Sequence, residues 1–167
     1  MEVYKRMKKV VKFGGSSLAS AEQFKKVGAL IRQEESRRYV VPSAPGKRFS
    51  GDTKVTDMLY SCYHLAIQEE DFDKQLDAIQ VRYQEIIDGL KLDLSLDQEF
   101  KVIRENFSKK VGRDYAASRG EYLNGMIMAA YLGYEFIDAA EVIFFNEKGG
   151  FDADKTQKIL SERLAHT

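Results

Sequence analysis

The chain has one cysteine, two prolines and no tryptophan. A single thiol, Cys62, closes no internal disulfide, so no covalent framework sets this fold. It sits in an apolar helical pattern and reads as a small core residue. The two histidines, His64 and His166, are too few and too scattered for a His-based metal centre. An excess of charge of either sign is also missing: Lys+Arg and Asp+Glu are both 26, a formal net charge of zero. That argues against a nucleic-acid binder relying on bulk positive charge, while leaving room for a local basic pocket. No apolar run approaches the length of a membrane span. The N-terminus is charged (Lys5, Arg6, Lys8, Lys9), but a strand and a glycine turn follow it, not the apolar core of a signal peptide. The cytoplasm is therefore the expected compartment, with neither nucleic acid nor membrane as a partner.

What remains is an ordinary globular composition. At 167 residues, 44% hydrophobic and 31% charged, the chain is long enough for one domain with a real core. Its most informative stretch is Lys12-Phe13-Gly14-Gly15-Ser16-Ser17. A predicted strand, Lys9 to Phe13, runs into two glycines and two hydroxyls before a helix that begins near Ser20. Glycines let backbone approach an oxyanion, unpaired N–H groups at the turn point toward it, and the upstream lysine adds a cation. The pattern suits phosphate. It is not a P-loop, because no Gly-Lys-Ser/Thr ends it. The competing explanation is a tight strand–helix turn whose glycines only relieve crowding.

Ser20-Ala21-Glu22-Gln23 is a capping box, and Phe24, Val27, Gly28 and Ile31 follow at helical spacing. Tyr39 to Val41 is a second strand, ended by Pro42. Strand, helix, strand predicts a parallel crossover, whose carboxyl edge is where ligands bind in open α/β sheets. The loop from Pro42 to Gly51 leaves that edge. It holds both prolines, with Lys47, Arg48, Ser50 and Thr53 as a polar clamp for an anionic substrate or as a solvated surface. Four helices are then predicted. Val55, Met58, Leu59 and Cys62 mark the first, opened by Thr56-Asp57, with Thr56 either a plain N-cap or a hydroxyl that faces a carboxylate ligand. Phe72 to Ile87 marks the second, ended by Gly89, and Leu96 to Val111 the third. Glu121 to Leu132 marks the fourth, closed by Gly133. Tyr134 to Ile137 and Val142 to Phe145 read as returning strands, and Asp152 as the cap of a last helix through Leu164.

Ser118-Arg119-Gly120-Glu121 satisfies the capping-box rule, which accounts for Ser118 and Glu121. It leaves Gly120 unexplained, since glycine is a poor helix former. A backbone that approaches something closely explains it, and a glutamate there could meet a substrate ammonium.

Four elements in order, Val11 to Ala19, Val41-Pro42-Ser43-Ala44, Val55 to Leu59, and Ser118 to Leu123, resemble the N-terminal part of an aspartate kinase, in the amino-acid kinase family. The resemblance spans nearly the whole chain. It implies an α/β fold, a three-layer αβα sandwich of the carbamate-kinase type, here an N-terminal lobe with a large helical insertion. It implies phosphorylation of the aspartate side-chain carboxylate by Mg-ATP, on the route to lysine, threonine and methionine, in a homo-oligomer. By matching position, Lys12 would be catalytic and stabilise the transferring phosphoryl group. Lys12, Phe13, Gly14, Gly15 and Ser16 would form the ATP-binding segment. Ser43 and Thr56 would line the aspartate pocket, and Glu121 would face the α-amino group. No residue is assigned to a metal. Twelve residues separate Ser43 from Thr56, more than in short-looped members, so Thr53 competes with Thr56. Residues 1–167 would be part of a kinase domain whose nucleotide half and regulatory domains lie beyond Thr167, inactive alone and prone to self-association. The alternative is a non-catalytic amino-acid- or phosphate-binding module derived from the family.

Overall fold

A computed structural model describes residues 7–165. His166, Lys5 and Arg6 lie outside the described residues. The chain divides after Tyr134 into two compact units.

In the first unit, strand β1 (Lys9–Phe13) and strand β2 (Arg37–Pro42) pair in parallel, with Val11 opposite Val40 and Phe13 opposite Pro42. Helix α1 (Ala21–Arg32) makes the crossover, as the strand–helix–strand order predicts. Its capping box forms: the Ser20 hydroxyl accepts from the Gln23 N–H at 3.4 Å. Phe24, Val27, Gly28 and Ile31 are buried along one stripe. Side chains alternate across a strand. Val11, Phe13 and Val40 pack on the core, whereas Val10 and Val41 turn away and stay 68% and 49% exposed. This is a mixed α/β fold with a parallel sheet, two-stranded among the described residues.

Helices α2 (Val55–Ile67), α3 (Asp73–Leu90), α4 (Asp97–Ser108) and α5 (Arg113–Leu132) form the long helical middle. Their apolar faces close on one another through Leu59, Leu76, Ile79, Ile103 and Leu123. Phe107 sits edge-on to Tyr63 at 5.3 Å between ring centres, a favoured aromatic geometry. Among the described residues no helix is long and apolar enough to cross a membrane.

Three expectations are corrected. Gly89 does not end α3; the helix runs on to Leu90 and Lys91 takes the left-handed cap, φ 56°. Gly89 serves packing instead, because a Cβ there would lie 2.5 Å from the Ala21 Cβ. The fourth helix starts at Arg113, so Ser118 to Glu121 lie inside α5 rather than at its cap. The Ser118 hydroxyl donates to the Tyr115 carbonyl within the helix. The real start follows Gly112, whose φ of 140° suits only glycine. Finally, Tyr134 to Ile137 and Val142 to Phe145 are not strands.

In the second unit, Ala139–Val142 is a single helical turn, α6, capped by the Asp138 carboxylate, and Phe145 makes only an isolated antiparallel bridge to Phe151. β-rich sequence needs a neighbouring strand to become sheet, and Ile143, Phe145 and Phe151 remain exposed here. Asp152 caps helix α7 (Ala153–Leu164) as expected, accepting from the Lys155 N–H at 3.0 Å. The Thr156 hydroxyl accepts from the Phe144 N–H at 2.9 Å, tying the turn to that helix.

Cys62 is fully buried on α2, and burial pushes its thiol pKa up to about 12. Reactivity belongs to the thiolate. A thiol-reactive dye at pH ~8 should therefore leave the folded protein unlabelled and modify it stoichiometrically in denaturant. Rapid labelling of native protein would show that this helical core opens readily.

Candidate active site

The site grows from the carboxyl ends of the two strands. Beyond β1 the chain makes a short 3-10 turn, Gly15–Leu18, and beyond β2 it enters the loop from Ser43 to Lys54. The two segments lie backbone against backbone. Gly46 N–H donates to the Gly15 carbonyl at 2.8 Å. A Cβ at Gly46 would fall 2.5 Å from the Gly15 carbonyl carbon, and one at Gly15 would fall 2.8 Å from the Ala44 carbonyl oxygen. So Gly15 relieves crowding, as the plainer reading of the motif held. Gly14 differs: nothing lies within 4 Å of where its Cβ would be. Gly14 thus borders open space, with exposed Lys12 and Ser16 close to it in the chain.

Helix α5 closes the other side. A Cβ on Gly120 would lie 2.7 Å from the Ala44 Cβ and 3.8 Å from the Thr56 hydroxyl oxygen. The unexplained glycine is thus a close approach of helix to loop. One residue on, Glu121 Oε1 accepts from the Ala44 N–H at 3.3 Å. The Ser43 N–H donates to the Phe13 carbonyl at 3.0 Å. Ser43, Thr56 and Glu121 are therefore brought together around Ala44. Lys12 lies one residue before Phe13 on β1, opposite Val41, with its side chain exposed on the sheet face turned away from the core. Thr56 is not a helix cap, since Lys54 holds that position. It is nonetheless the threonine beside Gly120, whereas Thr53 is exposed and its carbonyl faces Arg82.

Arg82 was not legible as a site residue. It lies on the apolar face of α3, between Ile79 and Ile86, only 3% exposed. Its guanidinium donates to the Gly46 carbonyl at 2.6 Å and the Thr53 carbonyl at 3.2 Å, and sits 3.1 Å from Asp52. Both ends of the long loop are thereby gripped from one helix. Arg48 is not free to clamp a substrate, as the loop's composition suggested. It forks onto Asp52 through Nε at 2.8 Å and Nη2 at 3.1 Å, and reaches Glu85 at 3.0 Å. Hydrogen bonding from the Arg48 side chain holds the Asp52 carboxyl well below the usual carboxylate range. The backbone N–H groups of Arg48 and Thr53 and the Arg82 charge add to this, against the opposing effect of burial. Burial, then the nearby Arg48 charge, lowers the Arg82 pKa, while Asp52 works the other way. Tyr83 next to it donates to the Gly120 carbonyl at 2.8 Å, binding α3 to α5 at the same point. Asn124, also not foreseen, is fully buried and donates to the Ser43 carbonyl at 2.6 Å. Its signal was a lone amide on an apolar helical stripe.

Among the described residues no group of three or more His, Cys, Asp or Glu could hold a metal ion. A magnesium ion there would fit only as a partner of bound phosphates, since Mg²⁺ commonly keeps waters and uses one or two carboxylates.

A parallel β–α–β unit with glycines, hydroxyls and a carboxylate at the carboxyl ends of its strands defines a class of α/β domain in which ligands bind at that edge. Comparison with known proteins makes this specific. Residues 7–165 match the model of the amino acid kinase family, and the chain belongs to that family. It is 36% identical over 140 residues to aspartokinase 3 of Bacillus subtilis (strain 168), covering 80% of this chain and 31% of that protein. It is 32% identical over 133 residues to the chloroplastic aspartokinase 1 of Arabidopsis thaliana, covering 74% of this chain and 23% of that protein. The crystal structure of Clostridium acetobutylicum aspartate kinase superposes with a TM-score of 0.89 at 47% identity, over 93% of this chain and 36% of that one. E. coli aspartokinase III, crystallised with aspartate and ADP, has a TM-score of 0.68 at 18% identity over 93% of this chain and 37% of that one, a likeness of fold. The chain thus spans about a third or less of the length of these relatives.

Two outcomes follow from this geometry. Gly120→Ala should destabilise the protein by about 1–3 kcal/mol through overpacking. Ala44→Gly in the same chain should restore part of that loss in denaturant melts; no rescue would mean the two positions are not in contact. The second concerns acid. A carboxylate whose folded pKa is depressed stabilises the fold above its unfolded pKa, about 4, and that stability is lost as pH falls further. Asp52→Asn should therefore lower stability at neutral pH and flatten its decline below pH ~4, measured by chemical unfolding across pH. An unchanged acid slope would remove Asp52 from this role.

Proposed function

We propose that this chain is the phosphate- and aspartate-binding portion of an aspartate kinase, transferring the γ-phosphoryl group of Mg-ATP to the side-chain carboxylate of L-aspartate. The observation that supports it most is the meeting of Ser43, Thr56 and Glu121 around Ala44, beside the strand end that carries Lys12.

In this reading Ser43 and Thr56 offer hydroxyls to the ligand's carboxylates. Glu121 keeps one oxygen on the Ala44 N–H and turns the other to the α-ammonium. Lys12 holds positive charge where negative charge develops on the transferring group. Phe13, Gly14, Gly15 and Ser16 carry the backbone along the phosphates, with Gly14 leaving the space. ATP, when bound, supplies the electrophilic phosphorus. Phosphoryl transfer asks mostly for positioning and charge stabilisation, which these residues provide. In this reading a nucleotide half and regulatory domains complete the protein outside the 167 residues of this chain. We place the protein in the cytoplasm, in the synthesis of lysine, threonine and methionine, as a homo-oligomer.

In the full natural protein, Lys12→Ala should lower kcat by about two to three powers of ten, the scale of a lost transition-state stabiliser, with thermal stability unchanged. A coupled ADP-release assay reads this, and near-normal kcat would reduce Lys12 to a surface residue. The isolated 167-residue chain should show no micromolar affinity for Mg-ATP by calorimetry. Tight binding would place the nucleotide site within these residues.

A further inference from the structure

A peptide unit has one donor and one acceptor, pointing in opposite directions. The unit between Ser43 and Ala44 has both held by the same turn of one helix. Its carbonyl accepts from Asn124 Nδ2 at 2.6 Å, and its N–H donates to Glu121 Oε1 at 3.3 Å. Residues three apart on a helix are side-chain neighbours, so α5 grips this plane with an adjacent pair. The Ser43 N–H is held as well, by the Phe13 carbonyl. Ser43 is thus fixed through its backbone on both sides, which leaves only its side chain to respond to a ligand.

Asn124 is an expensive way to do this. It is fully buried on the stripe that carries Leu123 and Ile127, and its Oδ1 has no hydrogen-bond partner among the described residues. A buried, half-satisfied amide costs more than an apolar side chain of similar size. Leucine is similar in size and needs no hydrogen-bond partner, so burial alone does not call for the amide.

Building on the function proposed above, we propose that Asn124 is a positioning residue and a specificity determinant. By fixing the Ser43–Ala44 plane against Glu121, it sets the spacing between the Ser43 hydroxyl and the Glu121 carboxylate, the groups assigned to different parts of the amino-acid ligand. That spacing favours L-aspartate over an amino acid one methylene longer.

The test uses Asn124→Leu in the full natural protein, with Ile103→Ala in α4 as a destabilised variant remote from the loop. Binding of L-aspartate and L-glutamate is measured by calorimetry, and hydrogen exchange at the Ala44 amide by NMR without ligand. Asn124→Leu should weaken L-aspartate about tenfold, the scale of one lost buried hydrogen bond. It should also narrow the preference over L-glutamate and speed exchange at Ala44. Ile103→Ala should leave both affinities and the Ala44 rate unchanged. L-aspartate affinity that does not depend on Asn124, or Ala44 exchange as slow as in the unaltered protein, overturns this assignment alone. No L-aspartate affinity in the unaltered protein overturns the function proposed above as well.

Discussion

The missing side chain at position 120 is the constraint on which the arrangement rests. Helix α5 can reach the loop after β2 only because Gly120 presents bare backbone to Ala44. With a methyl in between, Glu121 would be displaced from the Ala44 N–H and Asn124 from the Ser43 carbonyl. Glycine within a helix costs about 1 kcal/mol against alanine. Here that cost is set against two hydrogen bonds, the approach of Thr56, and the Tyr83 hydroxyl resting on the Gly120 carbonyl. Gly15 and Gly46 do the same between the two strand ends. The closest approaches between these segments are therefore made by backbone, with no side chain in between.

The second organising element is charge inside the core. Arg82 is nearly buried, yet it holds two carbonyls of the loop as well as the Asp52 carboxylate. Buried ion pairs are weak contributors to net stability, because desolvation opposes the attraction. Their value is geometric: a planar fork with five donors can hold several acceptors at once. That fits a residue binding Gly46 and Thr53, which flank the most irregular stretch of this unit.

The start of the fold was legible because its signals are local. The β-branched run at Lys9–Phe13, the capping box at Ser20 and the Asp152 cap each depend on residues a few positions apart. The candidate site was named from a set of motifs, and the close approach expected at Gly120 is present. Arg82 and Asn124 escaped because a polar residue on an apolar stripe marks itself as unusual without naming its partners, which lie 36 and 81 positions away. The start of α5 was misplaced because Ser118 and Glu121 satisfy a capping rule that tertiary packing overrode. The expected late strands failed for a different reason. Their residues have β character, but among the described residues no strand lies alongside them.

The two grips of Arg82 on the long loop also bear on how such a segment tolerates change. The carbonyls it holds, on Gly46 and Thr53, stand at the foot of a small tab whose outer residues, Lys47 to Gly51, are exposed. Below the tab, the Pro45 carbonyl accepts from the Val55 N–H at 3.0 Å, closing the neck. Lengthening a closed loop costs little entropy, roughly 0.6 kcal/mol per doubling. Residues added at the crown would thus leave the neck, and Thr56 beyond it, in the same register. Loop length in this lineage can drift under one set of pressures while the pocket beneath answers to another.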